Sequence, residues 1–514
     1  MNLATLARAL PQLPPSRALQ LPGRHTATVR RRLTTLALAL EIAGAGDMPT
    51  GALLDALEAR LRSADPEEIW LALAVIGASL PEVNDVVRAV RTCRLDGPRA
   101  VLEGALQANW VRRLLGVEEV REVEVVTGQV LVDLEHTSRT ALATGIQRVA
   151  RMTAGRWSRD HAPVLVGWLA DQQGLRRLRP DEVSRALTGT RPEEDPATDR
   201  EPDTVVIPWG ATYLLPELAP ERGRTLRLAA LARFSRSRTG MIGFDCVPIS
   251  SAETTDFGVS EAFAGNLSAA RHVSRVVTIS DAAAQEYRGW RRMLSAIGVP
   301  GPDITAVHLP VEAQEPSPAG LAEARERLLI GDLPLVLCIG THEPRKNHLA
   351  LLHAAEVLWR RGVRFNLVLI GGHSWKSDRF NDAVARLRAQ GRPIDTLSSI
   401  SDDVLWAAYR IARCVVFPSL NEGYGLPAAE ALACGTPVVT SNFGSMAEIA
   451  EQGGAVLVDP RSDSSIADGL ERVLTDPELN ARLRAEAAAR PQRTWDDYAR
   501  ETWAALVSEG DPRP

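Results

Sequence analysis

No run of about 18 apolar residues occurs in the chain. A helix needs about 20 to cross a bilayer, so no transmembrane helix is expected. The first thirty residues lack a signal-peptide pattern, because prolines and charges interrupt each apolar run. An excess of one charge is also missing. A net charge of -5 over 514 residues gives no support to nucleic-acid binding as the main task. The basic run Arg30, Arg31, Arg32 is short and reads as a solvated helix start. Cysteine is scarce: Cys93, Cys246, Cys338, Cys414 and Cys434 are odd in number and scattered, three of them in apolar runs. This argues for reduced core thiols in a cytoplasmic protein rather than a disulfide framework or a metal site. There is no Asp-x-Asp metal motif and no tandem repeat of solenoid length.

What is present is a globular composition, 45% hydrophobic and 24% charged, in a chain long enough for two or three domains. Up to about residue 120 the apolar residues recur at helical spacing only, as in LLDALEARLRSA, PEEIWLALAVIGASL and EVNDVVRAVRTC. Pro66 followed by Glu67 and Glu68 makes a good helix start. The spacing predicts a small helical bundle over 1–122.

From residue 123 the pattern changes. EVEVVTGQVLVDLE reads as a strand entering a buried sheet, and APVLVGWLA, TVVIPWG, TGMIGFDCVPI and VSRVVTIS follow between helical stretches. The acidic, proline-rich segment 191–203 reads as a surface loop. A second series begins near residue 334 with PLVLCIGTH, FNLVLIGGH, RCVVFPSL, TPVVTSN and AVLVD. The prolines of PVEAQEPSPAG between the two series read as a linker. Such alternation predicts an α/β protein with two doubly wound parallel sheets, over 123–311 and 312–514, facing a cleft. Ligands in such sheets bind beyond the carboxyl ends of the strands.

The richest stretch is SLNEGYGLPAAE, between a strand and a helix. Gly423 and Gly425 allow a tight turn and close approach to a ligand, and the N–H groups opening the helix suit a phosphate. Glu422 and Glu430 are carboxylates that can each accept two sugar hydroxyls; the bland alternative is a capping Glu422 and a solvent-facing Glu430. In GTHEPRKN, Arg345 and Lys346 are adjacent cations at a strand-to-loop corner, suited to a diphosphate or else merely exposed. Gly371 and Gly372 end the next strand, where they either admit a ligand or form an ordinary turn.

Over 335–460 these motifs, together with GGHSWKS and ISDDVLWAAYRIA, resemble in order the family-four retaining glycosyltransferases of the GT-B fold. The spacing of Glu422 and Glu430 matches that family's E-x7-E motif, and EPRKN resembles its mannosyltransferase-like branch. The resemblance implies that Glu430 holds the donor ribose and that Glu422 lies by the donor sugar. It places backbone N–H groups of Tyr424, Gly425 and Leu426 at sugar and phosphates, and Arg345 and Lys346 at the leaving diphosphate. The family often has an arginine after the glycine of GTHEPRKN, where this chain has Thr341. TGIQRV, 144–149, looks like the glycine loop that approaches the diphosphate, with Gly145 the matching position. GFDCVPI resembles a strand end that commonly reads His-Asp; here Phe244 replaces the histidine. Asp245 either positions an acceptor hydroxyl or caps a loop. The resemblance further implies hexose transfer from a nucleoside-diphosphate sugar, GDP-mannose or a related one, with no metal and no bound cofactor. The acceptor is a glycan, a lipid-linked sugar or a small molecule, and the last helix crosses back to the N-terminal domain. Two rivals stay open: a sugar-nucleotide epimerase or hydrolase, and a catalytically silent partner subunit. The helical extension is left between a buttress, a partner or carrier site and self-association, and peripheral membrane contact is also left open.

Overall fold

The computed structural model describes residues 24–114, 121–140, 145–190, 204–372 and 377–508. The acidic segment 191–203, Thr144 of the glycine loop and 373–376 of GGHSWKS lie outside the described residues. So do the first 23 positions.

Among the described residues five α-helices, Arg24–Ala39, Thr50–Arg60, Pro66–Gly77, Val83–Asp96 and Pro98–Leu114, form the extension. The Asp65 carboxylate accepts from Glu67 N and starts the third helix, with Pro66 in its first turn. The apolar stripes of these helices do not close on one another alone. Leu33, Leu53, Trp70 and Val86 join the same core as Val205, Ile207 and Trp209 of the neighbouring sheet. Trp70 stacks on Trp209 at 6.4 Å, and Arg236 pairs with Asp65 and Glu67 while lying over the Trp209 ring. The extension is therefore continuous with the N-terminal domain. The basic run corrects its sequence reading: Arg32 is buried and donates to the carbonyls of Ile76 and Arg121, and Arg31 pairs with Glu122. A guanidinium stem can line apolar surface while its head satisfies carbonyls, so charge alone did not mark a solvated face.

The first sheet has nine strands: β1 Glu122–Val126, β2 Val130–Asp133, β3 Val164–Trp168, β4 Leu175–Arg177, β5 Thr204–Pro208, β6 Thr212–Leu215, β7 Arg238–Gly243, β8 Arg275–Thr278 and β9 Asp303–Ala306. Their order is β1-β5-β4-β3-β2-β6-β7-β8-β9. The stretch read as one strand at 122–135 is two. A turn after Val126 sends β1 to the sheet edge beside β5, while β2 runs through the middle. The short β4 runs antiparallel to β3 and β5, so this sheet is mixed rather than wholly parallel.

The second sheet is all parallel, in the order β12-β11-β10-β13-β14-β15. Its strands are β10 Leu335–Ile339, β11 Asn366–Ile370, β12 Ile394–Leu397, β13 Cys414–Phe417, β14 Val438–Ser441 and β15 Ala455–Val458. LVLCI and NLVLI are buried along their whole length, because helices cover both faces. Two separate cores on its two sides show that covering. The five cysteines are free thiols, four of them buried. Among the described residues no helix is long and apolar enough to cross a membrane.

The helix Trp495–Val507 leaves this second domain and packs on the first. Trp157 Nε1 donates to Ala499 O at 2.9 Å, Trp503 meets Trp157 edge-on, and Leu506 lies over Gly240 of β7. Trp157 belongs to the helix Gly145–His161, which carries the sequence-matched Gly145. The last helix thus ties the end of the chain to an element that reaches the cleft.

Candidate functional site

Between the two sheets lies a cavity of about 740 Å³, lined from the first domain by Gly145, Arg148, Arg151, Phe244, Asp245 and Ile279. From the second come Arg345, Lys346, Asp402, Trp406, Glu422, Glu430 and the segment 423–427. Residues just beyond the carboxyl ends of β7, β8, β10 and β13 meet here, where a doubly wound sheet presents its ligand crevice.

The Pro344–Lys346 turn follows β10 and is held in place by its neighbours. Asn347, in the left-handed region at φ 59°, donates to the carbonyls of Pro418 and Pro460. Leu420 N and Ser419 Oγ donate to Arg345 O. This fixes two cations against one carboxylate: Glu422 receives Arg345 Nη1 at 2.5 Å, Lys346 Nζ at 2.6 Å and Ser419 Oγ at 2.6 Å. Burial alone would raise the Glu422 carboxyl, but Lys346 and Arg345 outweigh it and hold it at about 2. Arg345 also bonds Asn421 O and Glu343. The cationic corner is therefore balanced by local acids and not merely exposed.

Gly425 opens the helix Leu426–Ala433 at φ 101°, and a Cβ there would stand 2.0 Å from Met446 Cε. That close approach, and the backbone angle, restrict the position to glycine. The first turn of this helix thereby opens at the cavity, with Tyr424 anchored through its hydroxyl to Leu309 O across the cleft. Glu430, one turn further, is 7% exposed and accepts from two sides. Tyr409 OH donates to Oε2 at 2.8 Å, and Arg148 Nη1, from the opposite domain, donates to Oε1 at 2.7 Å. It does not face solvent. Sequence reasoning missed both partners. The available signal was spacing, since Arg148 follows Gly145 by one helical turn and so shares its face.

Asp245 follows β7 and does two things. Its Oδ1 caps the helix Val247–Ser250 by accepting from Val247 N, and the residue lines the cavity. Burial raises its carboxyl to about 6 although Arg345 opposes the shift, and Glu286 adds to it. Gly145 is the first residue of its helix, and a Cβ there would meet only Leu426 Cδ1, at 3.8 Å. Gly371 and Gly372 are not among the cavity's lining residues. A Cβ on Gly371 would stand 1.9 Å from Gly340 O, and Gly372 O accepts from His342 N. The approach that the first of these glycines permits is of the neighbouring backbone, which by itself accounts for glycine at that position.

Among the described residues one group has metal-ligand spacing: Asp281, His308 and Glu448. It lies outside this cavity, in a second one of about 500 Å³. Glu448 accepts from Asp281 N, Ala282 N and His308 Nε2, so it caps the helix Asp281–Ser295 from the opposite domain. Ion pairing accounts for all three groups.

Residues 322–490 match the family model described as Glycosyl transferases group 1, a span that contains Arg345, Lys346, Glu422 and Glu430. The serotype-specific mannosyltransferase WbdA of Escherichia coli is 27% identical over 369 residues, covering 70% of this chain and 44% of that protein. The O-antigen chain mannosyltransferase B of Escherichia coli is 33% identical over 36% of this chain and 49% of its own length. A D-inositol 3-phosphate glycosyltransferase of Frankia alni is 35% identical over 37% of this chain and 49% of its own length. The chain thus spans less than half the length of these relatives. In fold it is similar to Anabaena HepE in complex with UDP, with TM-score 0.53, 14% identity and coverage of 74% of this chain and 100% of that one. It is also similar to the sucrose-phosphate synthase of Thermosynechococcus elongatus, with TM-score 0.51, 15% identity and coverage of 73% and 97%. Both likenesses concern the fold, two facing doubly wound domains in the GT-B arrangement.

Proposed function

We propose that the chain, whose residues 322–490 match the group 1 glycosyl transferases and whose fold is similar to GT-B enzymes, transfers a hexose from a nucleoside-diphosphate sugar to a glycan acceptor with retention of configuration. The observation that carries this reading is the convergence of Glu422, Glu430, Arg345, Lys346 and a glycine-opened helix N-terminus on one interdomain cavity. The mannosyltransferase relatives favour mannose as the sugar and an O-antigen-like polysaccharide as the acceptor, and the EPRKN resemblance favours GDP-mannose as the donor.

In this reading Glu430 accepts the ribose hydroxyls. The N–H groups around Tyr424 to Leu426 meet sugar and phosphates, and Arg345 and Lys346 face the diphosphate. Breaking the bond between C1 and the phosphate oxygen leaves positive charge on the sugar and negative charge on the diphosphate. Fixed cations and N–H dipoles at the leaving group are the main lever, each worth roughly 3 kcal/mol. The acceptor oxygen bonds to C1 on the same face, and its proton passes to the departing phosphate oxygen. Asp245, poised near neutrality, orients that acceptor hydroxyl. No metal ion enters the scheme, because side-chain cations take its place.

The test is thermal unfolding against GDP, UDP, ADP and TDP, with Glu430→Ala alongside. A ligand at a hundred times its Kd adds about 2.7 kcal/mol of stability. A shift with one nucleotide, absent in the variant, supports the donor site and names its base. No shift with any of the four would sink the transferase reading in favour of a silent subunit.

A further inference from the structure

The Arg148–Glu430 contact is at odds with the role just given to Glu430. A ribose diol has to donate to this carboxylate, yet each oxygen already has a donor and Glu430 is only 7% exposed. Acceptor sites remain on the carboxylate, which lines the cavity, and it opens fully to a diol when one partner shifts. Tyr409 is fully buried within its own domain and has nowhere to turn. Arg148 comes from the facing domain, keeps about a third of its side chain exposed (32%), and lines the cavity.

Once displaced, the guanidinium stays charged and stands in the space that the rest of the donor fills. The other cations there share their charge with local acids: Lys346 with Glu422, and Arg345 with Glu422 and Glu343, so they bring the diphosphate less than two full charges. The position after Gly340 is Thr341, which carries no charge. One turn along the Arg148 helix, Arg151 also lines the cavity and has no carboxylate partner among the described residues. Its guanidinium is pushed down by burial. Among the described residues Asp245 is the one carboxylate that the first domain sets in the cavity lining beside these two guanidiniums.

Resting on the transferase reading, we propose that Arg148 is a donor-phosphate ligand that Glu430 holds in reserve across the cleft. When the ribose takes Glu430, Arg148 turns onto the diphosphate and supplies, from the first domain, the cation that Thr341 does not. One charge-assisted hydrogen bond is exchanged for another. The helix that carries Arg148 is tied through Trp157 to Ala499 of the last helix. Donor occupancy is thereby read by both domains.

The experiment is calorimetric titration of the whole chain and of Arg148→Gln with the nucleoside diphosphate found by thermal unfolding, and with its nucleoside. A phosphate ligand predicts that Arg148→Gln loses diphosphate affinity by roughly ten- to a hundredfold. Nucleoside affinity is kept or rises, because a competitor for Glu430 is gone, and Arg148→Lys recovers part of the loss. If the variant binds both ligands as tightly as the parent or more tightly, Arg148 is only a latch and the proposal falls. An equal loss for both would make it a support for Glu430, which also overturns it. A parent chain that binds none of the four nucleotides refutes the underlying transferase reading, an outcome separate from any behaviour of the variant.

Discussion

Gly423 and Asp245 touch across the cleft: a Cβ on Gly423 would stand 2.5 Å from Asp245 Oδ2 and 2.9 Å from Phe244 O. The closed arrangement of the two domains depends on this absence of a side chain, since Ser280 Oγ also reaches over to donate to Gly423 O at 2.7 Å. Gly423→Ala introduces an overpacked contact costing about 1–3 kcal/mol. The second domain can relieve it by opening, so we expect a small change in Tm. Turnover should fall by roughly ten- to a hundredfold, because closure completes the site. Unchanged kcat/KM in Gly423→Ala would show that this closed contact is not required.

The Glu422 cluster sets a different expectation for the cations. Removing Arg345 and Lys346 together leaves a largely buried carboxylate without its cations, though Ser419 Oγ still donates to it, a change that costs about 3–5 kcal/mol of stability. Arg345→Ala with Lys346→Ala should therefore lose both turnover and Tm. Adding Glu422→Gln removes the orphaned charge, and the triple variant should regain most of the Tm while staying inactive. Recovery of activity along with Tm would mean that the cations serve only Glu422.

The second domain was legible because its strands are continuous apolar runs between glycine-ended corners, and parallel sheets covered on both faces require such runs. Lys346 carried a further signal, being one of only two lysines in the sequence, with Lys376. The first domain was harder to read. Val123 and Val125 of β1 alternate with acids much as an entering strand does, and nothing local says that the turn before β2 carries the chain four positions across the sheet. The three-residue β4 is too short to leave a periodicity. Long-range polar partners leave no trace at all. The Asp133 carboxylate accepts from Trp168 Nε1, Tyr213 OH and Arg224, residues 35 to 91 positions away. Arg148 and Glu430 are 282 positions apart. Only the fold brings such charges together.

Asp245 gives a pH dependence of activity. Burial raises its carboxyl to about 6, so the ionised form that can accept a proton or hold a hydroxyl fills in as pH rises through that value. The acidic limb of kcat/KM should rise near pH 6 in the parent chain. In Asp245→Asn the limb should be absent and the rate lower throughout. An acidic limb that survives in Asp245→Asn assigns it to another group.

His308 gives a pH dependence of stability with the opposite sense. Its imidazole is raised above the ordinary value chiefly by the Glu448 carboxylate, against burial, with Asp281 adding to the effect. A group whose folded pKa is raised stabilises fully below its unfolded value, about 6.5, and loses that contribution as pH rises through the folded pKa. The stabilisation joins the two domains, because Glu448 belongs to the second and Asp281 and His308 to the first. The imidazole is nearly half exposed, so solvent screens part of the effect. We therefore expect His308→Ala to lower Tm at pH 6 and to have little effect at pH 9. A guanidinium does not titrate between pH 6 and pH 9, so the arginines lining the same cavity do not produce the difference. An equal loss of Tm at both pH values would mean that packing, not the His308–Glu448 charge pair, holds this side of the cleft.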